Sequence, residues 1–126
     1  MYSKEISDHI ANPRNVGEIH NASGVGDVTN EVCLDRIKLT IRVEGDHVTD
    51  ARVRAQGCPP TLAAASALTE LIIGRSLQQA GAISTADITT ALGRLPAAKK
   101  HCAVLAVDAL RAAVLSCGPS GREDSK

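Results

Sequence analysis

The sequence predicts an α+β domain, a small antiparallel sheet with helices packed on one face. Three observations lead there. Residues 37–43 alternate strictly, with Ile37, Leu39, Ile41 and Val43 on one side and Lys38, Thr40 and Arg42 on the other, the period of a half-buried strand. After the turn-like Glu44-Gly45-Asp46-His47, a second run sets Val48, Ala51, Val53 and Ala55 against Asp50, Arg52 and Arg54, as a returning strand would. From Pro59 onward the apolar residues take up helical spacing, broken by glycines and cap residues.

The elements follow in order. Ser3 or Ser7 caps a short amphipathic helix through the first ten residues, and Asn12-Pro13 ends it, because a residue before proline avoids helical backbone angles. Between Asn15 and Asn30, the glycines at 17, 24 and 26 and the scarcity of large apolar side chains predict a mobile connection, closed by Cys33. The two strands come next, and Gly57-Cys58 ends the second. Pro59 and Pro60 fit the first turn of a helix, where a missing N–H is no loss, and Gly74 caps its far end. Ser76 to Ala80 forms a turn, and Ser84 or Thr85 caps a short helix, Thr85 to Leu92, closed by Gly93. Leu95-Pro96 opens the last helix, whose broad apolar face through Leu115 suits packing against both sheet and helices. Residues 1–117 are thus read as a single domain and 118–126 as a flexible, solvated tail.

Composition narrows the function. The chain has 126 residues with one tyrosine (Tyr2) and neither phenylalanine nor tryptophan, so the core must be aliphatic. Fourteen basic residues balance fourteen acidic ones. Without net charge or aromatic stacking platforms, nucleic acid and anionic membranes are poor partners. No run of apolar residues is long enough to span a bilayer, and the mixed charges of MYSKEISDHI do not suit a leader peptide. A cytoplasmic protein is expected.

In that compartment thiols stay reduced, which gives Cys33, Cys58, Cys102 and Cys117 meanings other than disulfides. Cys33 ends a loop, Cys58 joins strand to helix, and His101-Cys102 opens the last helix, so three cysteines sit at element boundaries that can converge at one end of a domain. A helix N-terminus lowers a thiol pKa, and Cys58 and Cys102 both stand near one. The gaps of 25 residues (58 minus 33) and 44 residues (102 minus 58) are unlike paired zinc knuckles. The same cysteines could equally be small buried hydrophobes. Cys117, about four turns beyond Cys102, is read that way outright. Asp35 alone would be an ordinary surface carboxylate, and His9, His20 and His47 are expected to be solvated.

Five stretches taken together carry more. DHIANPRNVG (8–17), Cys33-x-Asp35, DARVRAQGC (50–58), the LPxxKxHC stretch from Leu95 to Cys102 and LAVDALRAA (105–113) resemble, in order and approximate spacing, the NifU-like or IscU-type iron-sulfur cluster assembly scaffold family. The resemblance implies a sheet of about three strands and a non-enzymatic scaffold. On it Cys33, Asp35, Cys58, His101 and Cys102 hold a transient [2Fe-2S] cluster and its iron, with zinc able to occupy the same ligands. It implies a cysteine desulfurase as sulfur donor, Cys102 as persulfide acceptor, apo iron-sulfur proteins as recipients, and a labilising role for Asp35. Lys99, ahead of the His-Cys pair, would stabilise a thiolate or simply be solvated. A monomer or weak homo-oligomer is expected.

The chain departs from the family pattern in three places. Leu34 stands where glycine is usual between the first cysteine and the aspartate, preceded by Glu31-Val32 where small residues are expected. Pro59-Pro60 replaces the glycine and serines that usually follow the second cysteine, removing backbone donors. Leu95-Pro96-Ala97-Ala98-Lys99 lacks the second proline and the valine of the LPPVK segment read by an Hsp70-type chaperone, which speaks against that partner. Two other functions use the same ligands: a zinc-dependent sulfurtransferase of the SufU type, and a structural zinc domain built on Asp35, Cys58, His101 and Cys102. The SufU branch carries an insertion between its second and third cysteines and usually lacks the histidine. This chain has His101 and no extra segment, which favours the scaffold.

Overall fold

The computed structural model describes residues 2–30 and 34–123. A three-stranded antiparallel sheet in the order β1-β2-β3 is formed by β1 (Gly24–Asn30), β2 (Asp35–Glu44) and β3 (His47–Gln56). Helices α1 (Lys4–Ala11), α2 (Pro59–Ile72), α3 (Leu77–Gly81), α4 (Thr85–Ala91) and α5 (Lys100–Glu123) complete it, with a 3-10 turn over Ala97–Lys99 ahead of α5. α5 packs on β1 and β2, and α2 on β3.

Local signals act where they were expected. The Ser3 hydroxyl accepts from the Ile6 N–H at 3.0 Å, and Asn12 ends α1. Ser84 closes a reciprocal capping box with Asp87, and Ser76 does the same with Gln79 at the head of the helix α3, where only a turn was expected. In the β2–β3 hairpin Arg42 pairs with Asp50 but Val43 with Val48, which leaves Thr49 as an extra residue. That bulge is why Val48 and Ala51, three apart, both face inward. The core is aliphatic, built around Ile6, Ile37, Leu39, Ile41, Leu68, Ile72, Ile88, Leu92 and Leu110.

Two expectations need correction. The segment read as a mobile connection from Asn15 to Asn30 contains β1, which pairs with β2 from Gly24↔Ile41 to Asn30↔Asp35. Its alternation is inverted: Gly24 and Gly26 face the core while Val25 and Asp27 face outward. The inward face is empty because α5 lies against it. A Cβ on Gly24 would sit 2.5 Å from Cys117 Sγ and overlap the Ala113 carbonyl oxygen. Cys117 is 2% exposed, in keeping with a small buried side chain.

His9 is also not solvated. It is 6% exposed, with Nδ1 2.7 Å from Ser66 Oγ. Burial, and after it the Arg14 charge, hold its pKa below the ordinary value, against the opposing pull of Glu70 and Asp8. The unfolded chain takes up this proton near pH 6.5 while the folded chain resists it, so the unfolded state binds more protons and stability falls as pH drops below that point. Thermal melts from about pH 7 down to about pH 5.5 are expected to show this acid slope in the wild type and a flatter one in His9→Gln. Equal slopes in the two proteins would remove His9 as the cause.

Candidate metal centre

Asp35 is the first residue of β2, Cys58 is the N-cap of α2, and His101 and Cys102 lie in the first turn of α5. One ligand atom from each of the four can be chosen so that all lie within 4.8 Å of one another. Cys58 Sγ is 3.7 Å from Cys102 Sγ, Cys102 Sγ is 3.7 Å from His101 Nε2, and His101 Nε2 is 3.2 Å from Asp35 Oδ2. Asp35 and Cys102 are buried, while Cys58 and His101 are half-buried and give the cluster its access to solvent. Cys33 lies outside the described residues. The other histidines stay away from this group: His9 is in the core and His20 and His47 are exposed.

The donor set fits a borderline-soft cation. On a tetrahedral zinc ion with sulfur at about 2.3 Å and nitrogen or oxygen near 2.0–2.2 Å, neighbouring donors stand roughly 3.3–3.8 Å apart. The edges observed here, 3.7, 3.7 and 3.2 Å, are of that size. Two thiolates, an imidazole and a carboxylate also suit iron. A cluster with two irons would place ligands of different irons farther apart than ligands of one, so this compact set would have to open to hold such a cluster.

Two residues not foreseen from the sequence shape the centre. Thr61, fully buried in the first turn of α2, donates its hydroxyl toward Asp35 Oδ2 at 3.1 Å and stands 3.3 Å from both Cys58 Sγ and Cys102 Sγ. Its position three residues after Cys58 on a helix was the available signal, since such pairs share a face. Gly57 has φ +140°, and a Cβ there would overlap Asp35 Oδ1 and lie 2.8 Å from its Cγ. The Asp35 carboxylate fits only because position 57 has no side chain. Leu34 holds φ +61°, a conformation glycine adopts without strain, and is 74% exposed beside Asp35. The usual glycine at that place thus has a backbone reason, and this chain does without it.

The two thiols differ in a way that corrects the expectation of a lowered pKa for both. Burial pushes Cys102 up to about 11, and the Cys58 and Asp35 charges add to that against the Thr61 hydrogen bond. Burial also acts to raise Cys58, but the Thr61 hydroxyl and backbone N–H, the Cys102 contact and the Lys99 charge outweigh it and hold Cys58 below its ordinary value. A helix N-terminus favours a thiolate only where charge can still be solvated or paired. Cys102 is 0% exposed and faces a carboxylate. Lys99, on the 3-10 turn, acts on Cys58.

Comparison with known proteins supplies the context. The family model described as NifU-like N terminal domain matches residues 1–118. The chain is 42% identical over 115 residues to the iron-sulfur cluster assembly scaffold protein IscU 1 of Archaeoglobus fulgidus, covering 91% of this chain and 75% of that protein. It is 42% identical over 117 residues to the iron-sulfur cluster assembly scaffold protein IscU of Escherichia coli K12, covering 90% of this chain and 91% of that one. Among solved structures, the N-terminal part of a nitrogen-fixing NifU-like protein from Brucella abortus superimposes with a TM-score of 0.76 at 16% identity, over 91% of this chain and 92% of that one, a likeness of fold.

Proposed function

The chain belongs to the NifU-like N-terminal domain family, and from that premise we propose that it is an iron-sulfur cluster assembly scaffold, a binding and transfer protein rather than an enzyme. Its cargo is a [2Fe-2S] cluster assembled on Cys33, Asp35, Cys58, His101 and Cys102 and passed to apo iron-sulfur proteins in the cytoplasm. The observation that carries this reading is the meeting of Asp35, Cys58, His101 and Cys102, drawn from three separate elements, within one coordination sphere. Cys33 stands two positions before Asp35 in the chain.

The residues divide the work by chemistry. Thiolates hold the irons of a sulfide-bridged cluster firmly, and a carboxylate holds iron less so, which makes Asp35 the ligand that lets the cargo leave. Sulfur arrives as the persulfide of a cysteine desulfurase. An attacking thiolate forms a bond to the outer sulfur, the desulfurase sulfur–sulfur bond breaks, and the desulfurase leaves as a thiolate. Cys102 is the acceptor by family likeness, and it reaches that persulfide once the 3.7 Å pair with Cys58 separates and its burial is relieved. Cys58, more exposed and more readily ionised, supports the relay with Lys99 beside it.

A second reading draws on the compactness of the donors, which matches a single tetrahedral ion: a zinc-dependent sulfurtransferase. Anaerobic incubation of zinc-free protein with ferrous iron, cysteine, a desulfurase and a thiol reductant, which supplies the two electrons that turn each persulfide sulfur into sulfide, separates the two. The scaffold reading expects a coloured, labile cluster with stoichiometric iron and sulfide. Sulfur turnover that appears only when zinc is returned to the protein, with no cluster formed, would establish the sulfurtransferase instead. Asp35→Ala is expected to prolong the lifetime of the assembled cluster, followed as decay of its visible absorbance. Faster decay than in the wild type would strip Asp35 of its labilising role.

A further inference from the structure

Thr61 makes an unusual use of its hydroxyl. A threonine inside a helix commonly turns its oxygen back to a carbonyl of the preceding turn or out to water. Here the side chain is fully buried, and its three hydrogen-bond contacts are Asp35 Oδ2 at 3.1 Å, Cys58 Sγ at 3.3 Å and Cys102 Sγ at 3.3 Å. These three atoms come from β2, the start of α2 and the start of α5, and the one hydroxyl touches each of them. Pro59 and Pro60, the two residues before it, have no N–H to offer, so Thr61 brings the first donors that α2 can present to the centre.

We infer that Thr61 is the positioning residue of the metal centre, a single buried hydroxyl that ties a carboxylate and two thiols into one coordination sphere and thereby raises its affinity for zinc or iron. The inference rests on the reading of Asp35, Cys58 and Cys102 as metal ligands. A hydroxyl has one proton and two lone pairs, which lets it donate to Asp35 and accept from the thiols while the site is empty of metal. Once the sulfurs are bound as thiolates, the same proton remains for one anionic ligand, and such partners fix ligand orientation. Besides Thr61, the side chain that links Asp35 to the cysteine pair among the described residues is His101, 3.2 Å from Asp35 Oδ2 and 3.7 Å from Cys102 Sγ.

The test uses the full chain and zinc alone, titrated in competition with a chromophoric chelator. Thr61→Val keeps the shape and removes the hydroxyl, and it is expected to weaken zinc binding roughly tenfold to a hundredfold, the usual effect of losing a partner of metal ligands. Thr61→Ser keeps the hydroxyl and is expected to restore most of the affinity. Cobalt in place of zinc gives a spectroscopic check: the ligand-field bands of the valine variant should shift while those of the serine variant match the wild type. Wild-type affinity in Thr61→Val overturns the inference, as does a serine variant as weak as the valine one, which would mean packing alone. Metal-free melting curves report folding separately, and if the valine variant does not fold, Thr61→Ala against Thr61→Ser is judged by the same criteria. Because the readout is one ion on this centre, it can fail while cluster assembly stands, and assembly can fail while it holds.

Discussion

Cys102→Ser is expected to abolish cluster assembly while leaving the fold intact. Cys102 Sγ is fully buried, 3.7 Å from Cys58 Sγ and from His101 Nε2, and it is the ligand that links the other half of the thiol pair to the imidazole. Serine puts a hard, unionised hydroxyl where a soft thiolate is needed, and its shorter side chain falls short of a shared metal. Zinc affinity should fall by more than about a hundredfold, the upper range for losing a mere outer partner of a metal ligand. The fold should tolerate the change, because Thr61 Oγ1, 3.3 Å from the sulfur, can hydrogen-bond a hydroxyl in its place. Reconstitution read by visible absorbance, beside a thermal melt, separates the two effects. A stable variant that assembles cluster at the wild-type yield would remove Cys102 from the centre.

Gly26→Ala should have the largest effect on stability of any single methyl added to this chain's sheet. Its Cβ would overlap the Ala109 carbonyl oxygen and lie 2.7 Å from the Ala113 nitrogen. Both are backbone atoms of α5, so no side chain can rotate away. The helix must move off β1, and because His101 and Cys102 lie in the first turn of α5, that movement also reaches the metal centre. A loss of about 3 kcal/mol or more is expected, at the upper end for overpacking, with a melting temperature lower by roughly 10 °C. Val25→Ala, one residue along on the outward face, is the control and should change stability by less than about 1 kcal/mol. Similar melting temperatures for the two variants would contradict the close packing of α5 on β1.

The same glycines explain what could be read in advance and what could not. β2 and β3 announce themselves because their own side chains alternate, and α1, α3 and α4 carry their caps, Ser3, Ser76 and Ser84, in the residue just before them. β1 carries no such mark: its core-facing positions are Gly24 and Gly26, chosen for the helix that covers them more than eighty residues later. Judged locally, a segment without large apolar residues looks mobile. Judged with Ala109, Ala113 and Cys117 against it, it is a strand stripped of side chains to let a helix approach. His9 misleads for a related reason, since its burial depends on Ser66 of α2.

The aliphatic core, the β2–β3 hairpin and the helix caps were fixed by residue types and short spacings along the chain, whereas Asp35 and His101 joined Cys58 and Cys102 as candidate ligands only through the family resemblance. Three-dimensional packing alone brought those ligands within one coordination sphere, placed the Thr61 hydroxyl among them, made Gly57 the seat of the Asp35 carboxylate, and set the Cys102 thiol high and the Cys58 thiol low. The difference is physical. Periodicity and capping are interactions between near neighbours in sequence, whereas burial, close approach and the electrostatics they impose depend on which distant segment arrives to exclude the water.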